Sequence, residues 1–110
     1  MMPSELMRAA MTRVDAGWCK HTSVDDHGNV CMGNSLGAAM LFNDVRLIRE
    51  ARKVYYPARD ALERKVRELG WHCISMMNDD PRTTKQDILN VMEKTAIALE
   101  EIEPQAALIW

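Results

Sequence analysis

Ile88, Met92, Thr95 or Ala96, Leu99 and Ile102 recur every three or four residues, with Leu89 beside them. That is the repeat of a helix with one face in a core, and it runs too long for a strand to use. Pro104 is its expected stop. The same spacing returns in Met7, Met11, Val14 and Trp18, widened by Leu6 and Ala10, and again in Ala58, Leu62, Val66 and Leu69. Gly33 to Phe42 reads as a short buried helix capped by Asn34 or Ser35, whose small Gly37, Ala38 and Ala39 admit a close neighbour. Asn43 or Asp44 caps a further helix, with Val45, Leu47 and Ile48 inward. Pro57 interrupts that run, and Gly17 and Gly70 are stops. Stripes of this kind must bury against one another. The spacing predicts a mainly α fold, a compact bundle of about five helices.

Two stretches escape the period. Asp25-Asp26-His27-Gly28-Asn29 is a dense turn cluster between short arms, so residues 19–31 form a small turn-rich loop or a β-hairpin. Trp71 to Met77 is short, apolar and extended, and Asn78 to Thr83 is a turn. Thr83 followed by Gln86 matches a capping box, with Thr84 and Asp87 as the other register. Residues 1–104 then make a single helical domain and residues 105–110 a short C-terminal tail, frayed or docked through Leu108, Ile109 and Trp110.

A chain of 110 residues, 47% apolar, has the size and content of one folded domain. Aromatics are only 5% against nine methionines, so aliphatic and sulfur-containing side chains fill the core. The longest apolar run, Ala38 to Phe42, is far below the roughly 20 residues of a membrane span. The net charge of −2 gives no overall pull toward nucleic acid. Basic residues gather between 42 and 70 and acidic ones between 71 and 110, a pattern that favours internal pairing or head-to-tail association over a polyanion site. Three cysteines cannot pair completely within one chain, and reduced thiols in the cytoplasm are the expectation, with a Cys19–Cys31 bridge as the alternative. The first residues lack the basic flank and apolar stretch of a secretion signal.

The sharpest cluster of chemistry is Cys19, His21, His27 and Cys31. Two thiolates and two imidazoles suit tetrahedral zinc, although Cys-x-His followed by His-x3-Cys is not a usual knuckle spacing. The competing reading buries the cysteines as small hydrophobes and leaves the histidines in solvent. Cys73 beside His72 lacks the third group that orients a base, and Asp79, Asp80 and Asp87 read as turn and first-turn residues. No catalytic residue is assigned. Gly33 to Gly37 lacks the Lys-Ser or Lys-Thr of a phosphate loop. Arg46, Arg49, Lys53, Tyr55, Tyr56 and Trp110 are candidate interaction residues. Acidic neighbours and pairs such as Asp60–Arg64 and Glu63–Arg67 dilute the basic field around them. Trp18, Trp71, Asn78, Asp79, Arg82 and Thr83 are assigned structural roles, the two indoles covering the ends of apolar stripes.

Gly17-Trp18-Cys19-Lys20, Asp26-His27-Gly28 with Cys31-Met32-Gly33, and Asn78-Asp79-Asp80-Pro81-Arg82-Thr83 resemble the motifs of domain of unknown function 6197. That is a family of small proteins from actinobacteria and their phages. Met77 stands where the family commonly has Trp, and Lys20-His21 replace its usual Gln-Gly. The family has no established activity, so the resemblance implies a fold and a phage or actinobacterial setting. A small phage-like protein that binds a host or phage protein, without catalysis or cofactor, is the expectation, as a monomer or a homodimer. The alternatives are a nucleic-acid-binding regulator and a structural zinc module.

Overall fold

Each apolar stripe closes on another in the computed structural model, which describes residues 1–42 and 51–109. The elements are α1 (Pro3–Ala16), α2 (Met32–Phe42), a π-helical turn (Ala51–Tyr55), α3 (Tyr56–Glu68), α4 (Ile74–Asp79) and α5 (Lys85–Ile109). The fold is a mainly α five-helix bundle. Among the described residues the only β features are single bridges around Val30. No described helix is long and apolar enough to cross a membrane. The helix expected to open at Asn43 or Asp44 falls outside the described residues.

The core is the set of stripes, shifted slightly. Leu6, Met7, Ala10 and Val14 of α1 meet Met32, Leu36 and Ala39 of α2, Ala58, Leu62 and Val66 of α3, and Ile88, Val91, Met92, Ala96 and Leu99 of α5. Met40 and Met77 complete a methionine-rich interior. Met11 is only partly buried, while Leu69 and Ile102 lie past the covered faces and are exposed. Of the small-residue run, Ala39 is buried in the core and Ala38 packs against it, while Gly37 has only the Asn34 side chain, 3.9 Å away, where a Cβ would stand.

α1 and α5 run antiparallel, and polar contacts mark the register. The Ser4 N–H and hydroxyl donate to the Glu103 carboxylate at 2.8 and 2.6 Å, so an acidic side chain of α5 sits on the positive end of α1. Arg8 bridges Glu93 and Glu100, and Lys85 reaches Asp15 at the other end. α1 is capped at Met2, whose backbone N–H donates to Glu5, and Pro3 fills the first turn.

Five local expectations change. The run before Pro57 is not broken but widened: a π-helical turn feeds directly into α3. Proline has no N–H and its ring crowds the carbonyl four residues back, and the wider turn relieves that conflict. The passage from Trp71 is not extended; Gly70 at φ 95° ends α3, and α4 already begins at Ile74 and includes Asn78 and Asp79. The turn is then Asp80-Pro81-Arg82-Thr83, closed by the Thr83 N–H on the Asp80 carbonyl at 3.0 Å, with proline at its favoured second position. Because that turn consumes Thr83, the reciprocal cap forms one residue later, with Thr84 N–H to Asp87 at 2.9 Å and Asp87 N–H to the Thr84 hydroxyl at 3.2 Å. α5 continues past Pro104 to Ile109 rather than stopping there.

Candidate functional site

Three segments far apart in sequence meet at the side chain of Asn78, which is 1% exposed. Its Oδ1 accepts the Trp18 indole N–H at 2.7 Å and the Met32 backbone N–H at 2.9 Å. Its Nδ2 donates to the Cys19 carbonyl at 3.1 Å and to Asp79 Oδ1 at 3.0 Å. One amide thus joins the loop after α1, the start of α2 and the end of α4. All of its hydrogen-bonding capacity is engaged, as burial of an amide requires.

The neighbouring groups extend the junction. The Lys20 ammonium donates to the Asp80 carbonyl at 2.7 Å and lies 5.3 Å from the centre of the Trp18 ring. Asp79 Oδ1 accepts the backbone N–H of His21 at 2.9 Å, and that hydrogen bond, then the Asn78 amide, holds the Asp79 carboxyl below its ordinary range. The bond also anchors His21 at φ 68°, a left-handed conformation uncommon for a side-chain-bearing residue.

The 19–31 segment is an ordered loop, not a two-stranded hairpin. Val30 lies between two arms: its N–H donates to the Gly17 carbonyl and its carbonyl accepts from Cys19 N–H, in a parallel bridge with Trp18. On its other edge it pairs antiparallel with Val24. The turn is held by Asp25, whose carboxylate accepts from the backbone N–H groups of His27 and Asn29 and from the Asn29 side chain, each at 2.9 Å. Those bonds, the Asn29 side chain first, lower the Asp25 pKa.

The zinc candidates are not gathered. His21 and His27 are exposed, and among the described residues no group of three or more His, Cys, Asp or Glu is placed to hold a metal ion. Cys19 Sγ lies 3.2 Å from the Asn29 carbonyl, and burial is the main cause that pushes its thiol up. Cys31 stands just before α2 and its sulfur accepts the Asn34 N–H at 3.3 Å, so it takes the capping position expected of Asn34 or Ser35. Ser35 is buried in the first turn, its hydroxyl turned onto the Met32 carbonyl.

Two clefts flank the junction. The smaller, about 200 Å³, is lined by Cys31, Ile74, Ser75, Asn78 and Asp79 beneath His21. The larger, about 490 Å³, lies on the other side of the Asp80–Thr83 turn, with Leu69, Met77 and Val91 as apolar lining and Trp71, Arg82, Asn90 and Lys94 around them. Arg82 is held by Asp80 through two contacts at 3.0 and 3.2 Å, and its guanidinium carbon lies 6.0 Å from the Trp71 ring centre. The Asp80 carboxyl is lowered mainly by that side-chain pair. The structure thus divides the residues assigned structural roles. Trp18, Asn78 and Asp79 build the junction, while Trp71, Arg82 and Thr83 line a cleft. Leu69, just past the end of α3, and Asn90 and Lys94 of α5 join them, and only proximity in the fold, not spacing in the sequence, brings them there.

Of the candidate interaction residues, Lys53 and Tyr56 are exposed, and Tyr55 meets Tyr56 edge to face with centroids 5.4 Å apart. Arg46, Arg49 and Trp110 lie outside the described residues. The basic face of α3 is partly neutralised by Arg59–Glu63, Glu63–Arg67 and Lys65–Glu68.

No curated protein and no solved structure matches the chain. A family model does, across residues 1–98, which takes in α1, α2, α3, α4, the whole Asn78 junction and the larger cleft. The chain therefore belongs to the family of unknown function DUF6197.

Proposed function

We propose that the protein is a small non-catalytic interaction module, and that the cleft between α3, α4 and α5 receives an acidic, apolar segment of a partner protein, host or phage in origin. The observation that carries this reading is the lining of that cleft. Leu69 offers exposed apolar surface over a floor of buried Met77 and Val91, Trp71 offers a rigid ring, and Lys94 and the Asp80-paired Arg82 offer positive charge at a rim that also carries Asp87. Aromatic and arginine side chains around an apolar centre are the usual anchors of protein recognition. The chemistry-bearing residues elsewhere support the same reading. Asn78, Asp79 and Asp25 spend their hydrogen bonds on backbone and side chains of the fold itself.

The test is capture from an actinobacterial host extract, with wild type beside Trp71→Ala and Lys94→Glu. A protein retained by wild type and lost by both variants, with helical content unchanged, supports the cleft. Equal retention by the variants overturns it. So does micromolar binding of duplex DNA with a steep salt dependence, the signature of a nucleic-acid regulator.

A further inference from the structure

The parallel bridge between Trp18 and Val30 sets the next pair in register, and that pair is Cys19 and Cys31. Residues at the same level of adjacent parallel strands lie about 4.8 Å apart with side chains on one face. A disulfide needs its Cα atoms roughly 4.4–6.8 Å apart, a range that contains the spacing of a pair in this register. Trp18 and Val30 turn toward the core, which leaves the two thiols together on the opposite face. Both are partly exposed, and Cys31 also lines the smaller cleft. The third cysteine, Cys73, precedes α4 and is not part of this register.

We infer that Cys19 and Cys31 are an oxidation site, a dithiol that closes to an intramolecular disulfide when a peroxide enters the cleft. Cys31 is oxidised first, because it lines the cleft. Its thiolate displaces hydroxide from hydrogen peroxide and becomes a sulfenic acid, and the proton it gave up joins that hydroxide as water. The Cys19 sulfur then displaces the sulfenic oxygen, which leaves as a second water with the Cys19 proton. Two thiols lose two electrons in all and one peroxide gains them. Oxidation removes the Cys19 S–H from the Thr22 and Asn29 carbonyls, 3.4 and 3.2 Å away. The Asn29 carbonyl near Cys19 keeps the Asp25 N–H, and the Cys31 sulfur keeps a lone pair for Asn34. The bridge fastens the strained His21 loop over the cleft, a role independent of the partner site proposed above.

The test uses the full chain with Cys73→Ser, a substitution suited to the residue before a helix. After treatment with a slight excess of hydrogen peroxide, the protein is expected to stay monomeric and to lose both alkylatable thiols. Trypsin cuts after Lys20, so the fragments Val14–Lys20 and His21–Arg46 are expected to remain joined until a reductant is added. The melting temperature is expected to rise by about 10 °C, since the bridge closes a short loop in the unfolded chain. Separated fragments with Cys31 carrying sulfinic acid would overturn the inference, as would disulfides found only between chains.

Discussion

Replacing Asn78 by alanine measures how much of the fold rests on one amide. The change leaves two donors without their acceptor, the Trp18 indole N–H and the Met32 backbone N–H, and one acceptor, the Cys19 carbonyl, without its side-chain donor. A buried polar group stripped of its partner costs about 1–3 kcal/mol. Met32 is fully buried and takes the upper part of that range; Trp18 is half-buried and takes the lower. The sum is about 3–4 kcal/mol, a large share of the roughly 5–15 kcal/mol that holds a domain together, and corresponds to a melting point lower by about 15 °C. Urea unfolding followed by circular dichroism gives the value, with an unchanged slope as the check that the native state is the same. Asn78→Asp separates the two halves of the amide. It keeps the oxygen facing Trp18 and Met32 but sets a second carboxyl where Nδ2 met Asp79. The like charge raises the pKa of the introduced carboxyl in the folded protein, so N78D is expected to gain stability relative to wild type as pH falls from 7 toward 4. A loss below about 1 kcal/mol in N78A would falsify the reasoning, since it rests on unmade hydrogen bonds of at least that size.

Gly17→Ala is expected to destabilise by about 2 kcal/mol, because the new methyl collides with an Asn29 side chain that Asp25 holds in place; thermal melts of G17A against G17A/N29G should show the loss partly restored. Thr84→Ala should cost about 1 kcal/mol through the lost reciprocal cap, whereas the register that begins at Thr83 predicts no such loss on denaturant titration. Arg8→Ala should cost only about 1 kcal/mol or less, and less still in high salt, because its two bridges are largely exposed. For pH, the lowered folded-state pKa values of Asp25, Asp79 and Asp80 mean stability that is present above the unfolded carboxylate value and lost as pH falls through the folded ones. A melting curve flat from pH 7 to 5, falling only below about pH 4 and falling less steeply in Asp79→Asn, is the expected result.

The helices were legible because their evidence is local. A 3.6-residue stripe marks its own buried face, and Leu62, Val66, Ile88, Met92 and Leu99 are in the core where the period put them. Errors gathered at the ends, where a stripe outruns its neighbour, as at Leu69 and Ile102, or where a turn and a cap compete for one residue, as at Thr83. α4 was missed because six residues are too few to show a period. The junction was the least readable part. Asn78 next to two aspartates has the composition of a turn, and nothing near it in sequence announces partners about sixty residues away at Trp18 and Cys19. The cysteine–histidine cluster misled for the opposite reason. Its members are close in sequence, but Asp79 holds the backbone of His21 and Asp25 that of His27, and among the described residues no three such side chains gather for a metal ion.

The junction and the larger cleft share the segment from Met77 to Thr83, which makes the two roles separable only by side. Substitutions facing the junction change how α4 is attached to α2 and to the loop after α1, and therefore move stability first and any binding as a consequence. Lys94→Glu touches neither the Asn78 amide nor the Asp79 carboxylate, so it can alter the cleft while the bundle keeps its melting point, whereas Trp71→Ala also removes a ring packed on the core and lowers it. Arg82 is the residue on which the two readings part. Its carbon chain and guanidinium lie along the cleft, yet its charge is already paired with Asp80, so removing it frees a carboxylate as well as losing a cation. Arg82→Lys keeps the charge and gives up the two-point contact and the planar face toward Trp71. If the cleft recognises an acidic segment through that face, R82K binds its partner at least tenfold more weakly at an unchanged melting temperature, a difference of about 1.4 kcal/mol. A melting point that drops while binding holds would place Arg82 with the turn instead.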